Sequence, residues 1–212
     1  MKKYILYTAA LMAITISSCR KIETDGEIQV VVVNGGGGGT PTAQTITLQG
    51  RINADTVLRK ANSYILKGIV YMVGNHTMTI EPGTVIKGAF SGTDVAALVI
   101  TRGSKIIAAG TATDPIVFTS LSPNPQSGDW GVIVLCGKAG YNLSYNGTTG
   151  LYQVEGGIDN ANGDGLAGSG DAVAPSPVPN DNSGVLQYVR IEYAGYAFQP
   201  DKEINSLTLA AV

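Results

Sequence analysis

The chain is predicted to be all-β and built as a solenoid, a parallel β-helix, and three observations lead there. From about Tyr64 onward, short β-rich runs alternate with Gly, Pro, Asn and Asp punctuation. No helical period of any length competes with them after the N-terminal apolar run. The stretch Thr79-Ile-Glu-Pro-Gly-Thr-Val-Ile86 is echoed twenty residues later by Val99-Ile-Thr-Arg-Gly-Ser-Lys-Ile106, which aligns Ile80, Gly83 and Thr84 with Ile100, Gly103 and Ser104. The first two observations also allow a sandwich. The echo favours the solenoid, because stacked coils place equivalent residues above one another, whereas strands joined by hairpins need no echo.

In chain order, the first element is an apolar run from Tyr4 to Ile16 behind Lys2 and Lys3, followed by Ser17, Ser18 and Cys19. It is a secretory signal, too short to span a bilayer as a helix. The end Ile16-Ser-Ser-Cys19 resembles the lipobox of bacterial lipoproteins, which implies cleavage before Cys19, a signal peptide over 1–18 and acyl chains on Cys19. Several chains together anchor stably, at about 0.8 kcal/mol per buried methylene. Residues 19–44 then read as a flexible tether: charged from Arg20 to Glu27, β-like from Gln29 to Val33, and an unbroken glycine run from Gly35 to Gly39. A coil of that length reaches roughly 25–30 Å.

The β-helix is expected over 45–212, with strands at Ile65 to Val73, Met78 to Lys87, Ala97 to Ala109, Pro115 to Ser120, Trp130 to Cys136, Leu186 to Tyr193 and Ile204 to Val212. Gly83 and Gly103 take corner positions that need a positive φ or close backbone approach. With 28 Gly, 14% charged residues and a net charge of −2, the chain has no basic field for nucleic acid. If Cys19 carries lipid, Cys136 has nothing to pair with inside the chain. It reads as a small buried hydrophobe in Val132-Ile-Val-Leu-Cys136 rather than a nucleophile, since the single histidine, His76, falls in a corner.

Thr79 to Ile86, Asp114-Pro-Ile-Val-Phe-Thr-Ser120, Gly128-Asp-Trp-Gly131 and Tyr188-Val-Arg-Ile-Glu-Tyr-Ala-Gly195 together resemble the right-handed parallel β-helix surface lipoproteins of the Bacteroidota, within the pectin-lyase-like architecture. The resemblance covers roughly residues 62–212. It implies a shape and a location, the outer membrane with exposure at the cell surface, more than a chemistry. The last residues, Ile204 to Val212, read as a strand in mid-stride, so the chain is expected to be the N-terminal part of a longer solenoid or to have this end covered by a partner.

The repeat is interrupted from Gly137 to Ser183, a stretch without strand periodicity that ends in Ala174-Pro-Ser-Pro-Val-Pro-Asn-Asp181. Loops of this length are functional or disordered. Tyr141, Tyr145 and Tyr152 with Asn142 and Asn146 combine aromatic faces and amides, a mixture suited to stacking on a sugar ring and hydrogen-bonding its hydroxyls, against the plainer reading of a solvated loop. Trp130, beside Asp129, reads as a corner residue whose indole covers the end of a stack or contacts sugar. Asn160, Asn162, Asp164, a glycine at position six and Asp171 at twelve match calcium-loop spacing, and Asp159 adds charge. The competing reading is an ordinary tight turn.

For catalysis the candidates are Arg190 and Glu192, two apart on one strand and so on one face, with Val189, Ile191 and Tyr193 on the other. The alternative there is a surface ion pair. Three functions follow from the sequence. The favoured one is a lipid-anchored, non-catalytic module binding glycan or another outer-membrane protein, possible calcium being its only cofactor; the others are a polysaccharide lyase or glycoside hydrolase, and a spacer without specific ligand.

Overall fold

The computed structural model describes residues 31–32, 43–199, 202–203 and 205–212. The expected signal peptide, the lipobox Cys19 and the glycine run 35–39 lie outside the described residues.

Five successive windings of the chain stack in parallel. The first holds β2 (Thr45–Ile52) and β3 (Thr56–Leu58), preceded by the two-residue β1 (Val31–Val32). The second holds β4 (Ser63–Met72) and β5 (Thr77–Ile80), and the third β6 (Val85–Gly88), β7 (Ala97–Ile100) and β8 (Lys105–Ala109). The fourth runs through β9 (Ile116–Ser120) and β10 (Ile133–Cys136). It then departs into an insertion carrying β11 (Ser144–Tyr145), β12 (Thr148–Thr149), β13 (Leu151–Gln153) and β14 (Leu166–Gly168), and returns as β15 (Gly184–Gln187). The fifth comprises β16 (Val189–Ile191), a hairpin of β17 (Ala197–Gln199) and β18 (Lys202–Glu203), and β19 (Leu207–Ala210).

The pairing defines three faces. The first stacks the N-terminal parts of β2 and β4 with β6, β9 and β16; the second stacks their C-terminal parts with β7, β10 and β19; the third stacks β3, β5, β8 and β15. Every one of these pairings is parallel. This is a parallel β-helix, not a sandwich. The exception at its edge is β1, which runs antiparallel to β2 with Val31 opposite Thr47, so the tether contributes a strand from its β-like run.

Alternation with period two sends one side chain of each pair inward, and register aligns them into columns. On the first face Tyr64, Ile86, Phe118 and Ile191 form one column. Ile52, Met72, Ile100 and Leu135 form one on the second face, and Leu58, Ile80, Ala108 and Leu186 one on the third. These columns make up the main core. At roughly 25 cal/mol per Å² of apolar surface removed from water, each layer is stable only against its neighbours.

The twenty-residue echo does not mark one coil. Ile80 lies on the third face, paired with Leu58 and Ala108, whereas Ile100 lies on the second, paired with Met72 and Leu135. The echoed segments are two different corners: β5-to-β6, which joins the second winding to the third, and β7-to-β8 within the third. They look alike because the turn chemistry is alike: Gly83 has φ +79° and Gly103 φ +88°, and Thr84 and Ser104 are buried. Thr84 donates its hydroxyl to the Glu81 carbonyl at 2.7 Å, and the Ser104 amide donates to the Thr101 carbonyl at 2.9 Å.

A second apolar cluster lies outside the solenoid. Tyr71, Val99, Val134 and Cys136 project outward from the second face, yet Val99, Val134 and Cys136 are 0% exposed. The insertion covers them with Val154, Ile158 and Ala167. All four residues of β7 and all four of β10 are consequently buried, which explains why those strands read as unbroken apolar runs.

Candidate functional site

The insertion is ordered by its own local chemistry. Asn146 (φ +48°) and Gly147 (φ +79°) form the two-residue turn joining β11 to β12, an Asn-Gly signal that marks a hairpin even in a stretch lacking longer periodicity. β13 and β14 pair antiparallel, Tyr152 opposite Ala167. The expectation of a strandless loop is corrected to two small hairpins.

The segment matched to calcium-loop spacing, 160–171, starts between β13 and β14 and ends past β14, and its donors do not converge. The Asn160 side-chain oxygen accepts the Asn162 amide at 2.8 Å, and its Nδ2 donates to Asp164 Oδ2 at 2.8 Å. Asp159 accepts the Gly165 amide at 2.8 Å and Gln153 Nε2 at 3.1 Å. Asp164 faces Arg51, with Nε 2.9 Å from Oδ2 and Nη2 3.2 Å from Oδ1. Asp171 is gripped by both Nη atoms of Arg102 at 2.9 and 2.8 Å, and it accepts the amides of Val173 and Ala174 at 3.1 Å. Of the calcium candidates Asn160, Asn162, Asp164 and Asp171, each carboxylate is thus engaged by a different guanidinium, and Asn160 closes a turn. Among the described residues no three His, Cys, Asp or Glu side chains gather where a metal ion would sit.

Arg51 and Arg102, on which the sequence reading placed no role, thus tie the insertion to the solenoid. Arg102 also donates to the Gly168 carbonyl at 3.3 Å. Its side chain is 5% exposed, and its hydrogen bonds hold the Asp171 carboxyl below the usual carboxylate range. Tyr71 adds a third tie, donating its hydroxyl to the Ile158 carbonyl at 2.6 Å, while burial pushes its pKa up to about 12. The missed signals were Arg51, directly after Gly50, and Arg102, directly before the corner Gly103; neither reveals its partner locally.

The aromatic candidates separate. Tyr141 and Tyr152 meet at 5.1 Å between ring centroids, tilted by 31°, half-buried against the second cluster. Tyr145 is half-buried on β11, with Asn142 and Asn146 exposed nearby in sequence. Trp130 is 0% exposed: it stacks on Phe118 at 6.5 Å and donates its indole N–H to the Glu192 carbonyl at 2.7 Å. Its assignment as a ligand-binding residue is corrected, because a fully buried ring has no face to offer a sugar. Asp129 accepts the Ser120 hydroxyl at 2.6 Å and the Gln126 amide at 3.0 Å, which fixes the turn leading into Trp130.

Arg190 and Glu192 form an ion pair on the outside of the first face, while Val189 and Ile191 pack inward. Tyr193 does not continue that inward row: at φ +60° the chain has already turned, leaving it 42% exposed. The row beneath Glu192 contains Thr119 and Lys87, so it offers no second acid. Cys136 is buried, and burial raises its thiol pKa to about 12, the state of an inert core thiol rather than a nucleophile.

A cleft of about 240 Å³ opens between the insertion and the corner joining the second and third faces, with Arg51, Asn75, Arg102, Asn162, Asp164 and Val173 on its walls. A hollow of about 670 Å³ lies between β15 of the fourth winding and β19 of the fifth, bordered by Leu135, Leu186 and Leu209.

Stacked parallel coils with an insertion folded onto one face define a β-helix protein. A family model of the pectate-lyase-like β-helix domain matches residues 50–212, and the chain belongs to that family. A search of the curated proteins finds no match, and a search of the solved structures finds none. Among the described residues no helix is long and apolar enough to cross a membrane.

Proposed function

We propose that the protein is a non-catalytic binding module, anchored in the outer membrane by lipid on Cys19 and exposed at the cell surface, where it binds glycan or another surface protein. The observation that carries this reading is the seating of the insertion. An apolar seam and two arginine-carboxylate clasps hold it to one face of a rigid solenoid, so its outer surface, with the Tyr141–Tyr152 pair and Tyr145, is presented in a fixed geometry. Fixed aromatic surfaces bind sugars at low entropic cost. The lipobox and tether support display away from a bilayer.

The second reading, a polysaccharide lyase or glycoside hydrolase, draws on the family fold and on the Arg190–Glu192 pair. Glycoside hydrolysis uses two carboxyl groups roughly 5–10 Å apart, and Glu192 lacks such a neighbour in its row. The third reading is a spacer without ligand. A glycan array run beside assays for reducing ends and unsaturated products separates the three. Binding without product supports the module, product supports the enzyme, and neither supports the spacer. Fatty-acid labelling that disappears in Cys19→Ala tests the anchor.

A further inference from the structure

The cleft between the insertion and the solenoid corner has features that a surface crevice lacks. Arg102 has five N–H groups, of which three go to Asp171 and Gly168, and the buried Nε of Arg51 has no hydrogen-bond partner among the described residues although it lies 2.9 Å from Asp164 Oδ2. Asn75 enters the wall at φ +62°, a left-handed conformation that asparagine tolerates and most residues avoid. Asn162 lies opposite on the insertion, its side chain engaged in none of the turn's hydrogen bonds. Val73 and Val173 supply apolar wall.

The charges decide what fits. Two guanidinium groups and two carboxylates, Arg51 with Asp164 and Arg102 with Asp171, compensate one another. An anionic ligand would bring an uncompensated charge beside Asp164, which is 7% exposed on its side chain, at a desolvation cost that nothing on the walls offsets. A neutral polyol instead finds amide and guanidinium donors, amide acceptors and an apolar wall. Drug-sized pockets span roughly 300–1,000 Å³. A cleft of about 240 Å³ takes one ring, not a chain.

We infer that this cleft is a binding subsite for a single uncharged pyranose residue, a terminal or branch sugar of a glycan, held by Asn75, Asn162 and the guanidinium donors of Arg51 and Arg102. This rests on the glycan-binding reading and narrows it to a place and a sugar class.

The experiment is titration calorimetry of the full-length protein with neutral oligosaccharides and with uronic-acid oligosaccharides, repeated on Asn162→Ala, Val173→Trp and Tyr145→Ala. Asn162→Ala removes an amide the fold does not use, and Val173→Trp fills the cleft from an exposed position. The expected result is binding of neutral sugars that weakens roughly tenfold in Asn162→Ala, as for one lost hydrogen bond. That binding vanishes in Val173→Trp and survives in Tyr145→Ala, with circular dichroism unchanged throughout. Binding that survives both cleft variants and fails in Tyr145→Ala overturns the cleft while leaving the glycan reading standing. A preference for uronic acids overturns the assignment to uncharged sugars, and no sugar binding at all overturns both.

Discussion

Arg102 and Asp171 meet as fork and carboxylate, Nη1 to Oδ1 at 2.9 Å and Nη2 to Oδ2 at 2.8 Å, across a sequence separation of 69 residues. The pair joins the β7-to-β8 corner to the insertion. Removing Arg102 takes a buried side chain out of the corner and leaves the Asp171 carboxylate, 23% exposed, without its fork, so Arg102→Ala is expected to destabilise by roughly 1–3 kcal/mol, measured by urea unfolding. Arg102→Lys should restore only part of this, because a single ammonium cannot reproduce two parallel bonds.

The same pair gives a pH dependence with a definite sign. The folded Asp171 pKa lies below its ordinary value, chiefly through its hydrogen bonds to Arg102. Its stabilising contribution is therefore complete above the unfolded carboxyl pKa of about 3.9 and is lost as pH falls through the lower folded value. Asp171→Asn should flatten this part of the stability profile below about pH 4, with the variant and the parent converging in strong acid.

Because Asp164 and Asp171 are each engaged by an arginine, neither calcium nor EDTA should move the thermal unfolding midpoint. A calcium-dependent rise in that midpoint would contradict the ion-pair assignment.

Trp130 is the chain's one tryptophan and is fully buried against Phe118. Its fluorescence should be blue-shifted, resistant to acrylamide and indifferent to added glycan, changing only on unfolding. The backbone of Gly88 lies directly against the ring: a Cβ there would come within 2.8 Å of the Trp130 Cβ and Cγ. Gly88→Ala is expected to cost roughly 1–3 kcal/mol through overpacking, read from the shift in denaturation midpoint.

Cys136, with its pKa raised to about 12 by burial, should fail to react with a thiol reagent in the native protein and react at once in denaturant.

Much of the architecture was legible along the chain. Corner glycines at 83 and 103, the alternation of inward residues and the outward pairing of Arg190 with Glu192 all rest on interactions within a few residues. The coil period was not legible. Thr56 pairs with Met78 twenty-two residues on, while Val85 pairs with Val117 thirty-two on, because the corners differ in length and the insertion lengthens the fourth winding further. The echo at twenty compared one corner with the next, since both need the same turn chemistry.

The residues themselves determined that this chain winds into stacked strands with glycine corners, because turn conformation and alternating burial are set by short-range sterics and side-chain polarity. Only the tertiary structure decided that Asp164 opposes Arg51 and Asp171 opposes Arg102, that Trp130 is sealed inside, and that the insertion lies on the second face. Those outcomes depend on where a long excursion lands. Arg51 reaches Asp164 across 113 residues, a partnership no local pattern records.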